Sequence, residues 1–142
     1  MPDLEYLVLA DYVRQDAGVT HIMGAGIDTF NIPAFQLPAA IPVGLVARIT
    51  FSIRDEVGAE HELGLLFQGP GGDLLRASQR FQTPPPAAGV PEHWRTAVSL
   101  VVRLALPFPS HGDYRLQVTL DDDPTLSRSL DVRAIEPPTG QP

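Results

Sequence analysis

Between Leu45 and Arg54 the chain alternates without a break: Leu45, Ala47, Ile49, Phe51 and Ile53 fall on one side, and Val46, Arg48, Thr50, Ser52 and Arg54 on the other. A period of two puts successive side chains on opposite faces of an extended backbone, so the segment is predicted to be a strand with one buried face. The period returns in His61, Leu63, Leu65 and Phe67, and the short polar link DEVGAE between the two runs predicts a hairpin. GPGGD supplies the next turn, because glycine takes positive φ at little cost. Leu75, Ala77 and Phe81 then form a more polar strand whose Arg76 and Arg80 suit solvent.

After a proline-rich connection, Val98, Leu100, Val102, Leu104 and Leu106 alternate with polar positions that include Ser99 and Arg103, which predicts a central strand. Tyr114, Leu116, Val118 and Leu120 point inward in the next run, and Leu130, Val132 and Ala134 in the last, the two joined as a hairpin through DDDPT. At the front, LEYLVLADYV and THIM flank the turn RQDAG, and a short strand is expected within IDTFNIP. About seven to nine short strands without a helical period predict an immunoglobulin-like or C2-like antiparallel β-sandwich. Gly112 and Tyr114 open a late strand, where a tyrosine hydroxyl either turns back to a neighbouring loop as a tyrosine corner or serves as an ordinary strand start.

A length of 142 residues matches one ordinary domain. We expect a sandwich over residues 1–136 and a flexible proline-rich tail over 137–142. Hydrophobic residues make up 44% of the chain, enough to offset the entropy of ordering it. All ten basic residues are arginines scattered singly within a net charge of −7, which argues against a nucleic-acid surface and against binding to anionic lipid. The absence of cysteine excludes disulfides, thiolate nucleophiles and thiolate zinc sites. The absence of lysine excludes Schiff-base chemistry and a P-loop. The opening MPDLEYLVLADYV lacks a basic region and is interrupted by Asp3, Glu5 and Asp11, unlike a signal peptide, and no apolar run reaches membrane-spanning length. A cytoplasmic location is the expectation.

The stretch THIMGAGIDTFNIPAF has Gly24 and Gly26 after an apolar run, as a dinucleotide loop would. The spacing then puts Thr29 where a third glycine belongs, and FNIPAFQLP follows with two prolines and no helical period. Without a helix start there are no amides to face a phosphate, so Gly24 and Gly26 are predicted to form a bend between strands. The opening LVLADYV…GVTHIMGAGIDTF, taken with LPFPSHGDYRLQVTLDD, resembles an uncharacterised family of small bacterial proteins with an early apolar strand ending in Ala-Asp and a later Gly-x-Gly before aromatic and proline residues. The resemblance spans about Leu4 to Ile135. It implies a β-sandwich and brings no activity or catalytic residue with it.

Asp121, Asp122 and Asp123 lie together in an end loop and are either solvated turn acids or part of a calcium site, which needs several loop oxygens. His21, His61, His93 and His111 are far apart, and His61 faces away from its neighbours Glu60 and Glu62, so a regular strand gives them no shared metal. No G-x-S-x-G elbow is present to nominate a nucleophile. Pro84, Pro85 and Pro86 favour an extended polyproline course with Trp94 close by, which is either a plain connection or a protein contact. The expected function is a non-enzymatic interaction or scaffold module without cofactor, contacting a protein partner or itself. The alternative is a small-ligand or calcium-binding module using the end loops.

Overall fold

The computed structural model describes residues 2–16, 19–52, 55–85, 89, 91 and 95–138. They form nine strands: β1 (Asp3–Asp16), β2 (Val19–Ala25), β3 (Thr29–Asn31), β4 (Ala39–Phe51), β5 (Glu60–Gly69), β6 (Gly72–Gln82), β7 (Thr96–Phe108), β8 (Gly112–Leu120) and β9 (Ser127–Ile135). Two single-turn 3₁₀ segments, Ala34–Gln36 and Pro124–Leu126, interrupt the connections. One sheet has the order β2-β1-β4-β7 and the other β3-β9-β8-β5-β6, so the chain is an all-β sandwich. Every pairing is antiparallel except the three-residue pairing of β3 with β9. No helix among the described residues is long and apolar enough to cross a membrane.

The core is made by the inward rows that the alternation marks. Leu45, Ala47, Ile49 and Phe51 of β4 face Leu63, Leu65 and Phe67 of β5 and Leu116, Val118 and Leu120 of β8, all buried in one cluster. Phe67, Phe108 and Tyr114 stack and tilt on one another at ring separations of 5.0–5.6 Å. The Tyr114 hydroxyl donates to the Ser110 carbonyl, four residues upstream, which settles the two readings of that residue in favour of a tyrosine corner. Gly24 and Gly26 take φ of +67° and +80°, and the amides of Gly26 and Ile27 both donate to Leu9 O, a bend between strands as expected.

Two neighbour assignments from the sequence are corrected. β4 and β5 are not a hairpin: β4 pairs with β1 and β7, β5 with β6 and β8, and the 52–59 connection crosses between the sheets. Alternation reports which face of a strand is buried, and two facing rows of opposed sheets look the same in sequence as two rows of one hairpin. β7 is an edge strand rather than a central one. Its apolar character arises because its inner row packs on the core while Val101, on the outer face, packs under another segment.

That segment is the far half of β1. From Asp3 to Ala10, β1 pairs with β4; beyond Ala10 it pairs only with β2, and the resulting hairpin arm lies across the outer face of β4 and β7. Val13 rests on Gly44 so closely that a Cβ there would stand 2.4 Å from Val13 Cγ2. Gln15 Nε2 donates to Ser99 O at 2.8 Å, and Arg103 Nη2 donates to Val13 O at 3.2 Å while its guanidinium lies over the Tyr12 ring. Ala10, Val13 and Val46 are thereby buried outside the sandwich, with Val8, Ile22 and Val101 packed against them. A fully buried valine contributes about 1.5–3 kcal/mol relative to an exposed one, so burial of Val13 favours the seated arm.

Candidate functional site

At one end of the sandwich β4, β6 and β8 finish and β5, β7 and β9 begin, and there Gly58, Ala59, Thr83 and the 121–126 turn lie together. Of the residues that the sequence singles out, Pro84, Pro85, Asp121, Asp122 and Asp123 lie at this end. His61 is carried inward by the same alternation that buries Leu63, Leu65 and Phe67, and its ring stacks on Phe81 at 5.4 Å and tilts against Phe51 at 5.5 Å. A ring nitrogen in such a place needs a partner, because an unpaired buried polar atom costs about 1–3 kcal/mol.

Both nitrogens are paired. β8 ends at Leu120, and the next two residues take left-handed conformations, Asp121 at φ +54° and Asp122 at φ +53°, which aspartate tolerates better than most residues. The bend swings the Asp121 carboxylate back onto β5. Its Oδ1 accepts from the Glu62 amide at 2.8 Å, its Oδ2 accepts from His61 Nδ1 at 2.7 Å, and its own amide donates to Glu62 O at 2.8 Å. The carboxylate can only accept, so Nδ1 carries the proton, and in the neutral ring Nε2 accepts from the Thr83 hydroxyl at 2.8 Å. Thr83 is 3% exposed, and its backbone is bonded to Gly58 and Ala59. Thr83, His61 and Asp121 thus form one chain of hydrogen bonds that ties the residues just after β6 and β8 to the start of β5, with Gly58 and Ala59 held by the Thr83 backbone.

A hydroxyl, an imidazole and a carboxylate in that order are the components of a nucleophilic triad. Such chemistry also requires the hydroxyl to face a substrate. The open cleft at this end, about 260 Å³, is lined by Glu60, His61, Glu62, Arg80 and Asp121, and the buried Thr83 is not part of that lining. Among the described residues every buried side-chain nitrogen and oxygen has a partner.

The sequence-derived candidates fall around this chain. Pro84 and Pro85 directly follow Thr83, the first half-buried and the second exposed, whereas Pro86 and Trp94 lie outside the described residues. The three acids do different things: Asp121 binds His61, Asp122 is exposed, and Asp123 caps Pro124–Leu126 by accepting from the Thr125 amide and hydroxyl. The Thr125 hydroxyl, and after it the Thr125 amide, hold the Asp123 carboxyl below its ordinary range. Among the described residues no three histidine, aspartate or glutamate side chains converge as metal ligands. From the sequence, His61 is weighed only as a metal ligand and Thr83 is not singled out. The available signal was a histidine on an inward-facing row.

Residues 5–133 match the model of a family of unknown function (DUF6941). The chain matches no curated protein.

Proposed function

The chain belongs to that family, and we propose that it is a non-enzymatic, immunoglobulin-like interaction or scaffold module that contacts a protein through the loop end containing Pro84, Pro85 and the 121–126 turn. The observation that supports this reading is the Thr83–His61–Asp121 chain, which spends its hydrogen-bonding capacity on fixing loops and leaves the Thr83 hydroxyl out of the cleft lining. A fixed loop end suits recognition because less ordering entropy is lost on binding. Pro85 adds an exposed, conformationally restricted position next to the fixed point. A photo-cross-linking residue placed at Pro85, with one at Asp131 on the outer sheet face as control, tests the contact in the source cells. Discrete protein adducts from position 85 and not from position 131 are expected. Equal labelling at both positions, or an ester-hydrolysing activity that is lost in Thr83→Val, would overturn the reading.

A further inference from the structure

The sandwich has four edge strands, and they are protected unequally. β6 carries Asp73, Arg76 and Arg80, β7 carries Arg103 and Pro107 and touches β6, and β3 is only three residues long. Charge, proline and shortness are the usual means by which an edge avoids pairing with another strand. β2 has none of them. Its sequence VTHIMGA contains no acidic residue, arginine or proline, and Val19 and Met23 are 56% and 65% exposed.

We propose that the β2 edge is a self-association surface, where the Val19–Met23 segments of two copies of this chain pair antiparallel about a two-fold axis through His21. The pattern of the strand is self-complementary in that register. Residues 19, 21 and 23 share one face, so Val19 of each copy stands opposite Met23 of the other, and the two exposed apolar side chains become cross-strand pairs. On the other face Thr20 stands opposite Ile22, the residue that already packs onto the arm's seat. The chain carries a net charge of −7, and this edge is a segment without acidic residues or arginine, so that apart from the two His21 rings that meet at the axis no ionisable side chains of the two strands oppose one another. Gly24, at φ +67°, limits the regular edge to five residues. Pairing therefore buries less than a standard interface, and the dimer is weak and concentration-dependent. This surface is separate from the loop end, and either proposal stands or falls without the other.

The chain has no cysteine, so a single introduced thiol reports unambiguously. In the two-fold register the Cα atoms of position 21 lie about 4.5–5.5 Å apart, within disulfide reach. His21→Cys is expected to oxidise to a covalent dimer about tenfold faster or more than Phe35→Cys, although Phe35 is 85% exposed. A mixture of Val19→Cys and Met23→Cys is expected to cross-link more than either alone. Met23→Asp, at an exposed position, is expected to weaken the dimer in sedimentation by about tenfold with an unchanged melting temperature. A full-length chain that stays monomeric at all concentrations, equal cross-linking at positions 21 and 35, or an edge that takes an unrelated extended peptide while the free chain stays monomeric, would overturn the proposal.

Discussion

Two peripheral attachments complete this sandwich, and they are built from opposite materials. The β1–β2 arm is seated by apolar contact, Val13 against the bare backbone of Gly44 and over Val46, with few hydrogen bonds to the sheet beneath. The loop end is held by a polar chain, Thr83 to His61 to Asp121, with aromatic rings on the imidazole faces. The apolar seat tolerates small changes of volume badly and changes of polarity elsewhere well. The polar chain has the reverse sensitivity, since losing one member strands the next. Each therefore predicts a different response to substitution.

The inter-sheet core sets the scale. Leu116→Ala, at a fully buried position, is expected to cost about 2–5 kcal/mol in a denaturant titration. An effect below those at the two attachments would mean that the periphery, and not the core, holds the sheets together. Gly44→Ala comes next, because its Cβ would meet Val13 Cγ2 at 2.4 Å and the Val13 amide nitrogen at 3.1 Å, and the arm must lift. Overpacking of this kind costs about 1–3 kcal/mol, and Val13→Ala in the same chain is expected to return part of it. Equal melts for Gly44→Ala and wild type would remove the arm from the outer face. Thr83→Val keeps the shape and removes the hydroxyl, leaving His61 Nε2 unpaired for about 1–2 kcal/mol, within the usual range for a stranded buried acceptor.

The smallest effect belongs to Asp123, whose cap lies in solvent. Its folded carboxyl is held below the ordinary range by the Thr125 hydroxyl and amide, so the cap is fully present above the unfolded value and is lost as pH falls through the folded value. Wild type and Asp123→Ala are expected to differ slightly at neutral pH and to converge in acid. A difference that grows on acidification would reverse the sign of the linkage.

The inward rows were legible because burial repeats every second residue: Tyr114, Leu116, Val118 and Leu120 are all buried, and each was marked by alternation alone. The bend at Gly24 and Gly26 was legible because a phosphate loop needs a helix that the prolines forbid. Which strands are neighbours was not, since β4 and β5 carry equivalent rows in different sheets. The arm left a faint trace in Ala10, Val46 and Val101, small apolar residues on what would otherwise be a solvent face. The polar chain was hidden for a different reason. His61 lies 22 residues from Thr83 and 60 from Asp121, and a hydrogen bond between distant residues leaves no period to read.

The central claim is that the Thr83–His61 hydrogen bond holds the loop end together, and a double-mutant cycle measures that coupling directly. Thr83→Val and His61→Phe each strand the other partner, whereas the double variant replaces both with apolar groups of similar shape and keeps the ring against Phe51 and Phe81. The prediction is that each single variant costs about 1–2 kcal/mol and that the double costs no more than either one, so the cycle shows a coupling of similar size. Costs that add to within about 0.5 kcal/mol would contradict the account, because they would mean that the two residues act independently and the loop end is held by something else.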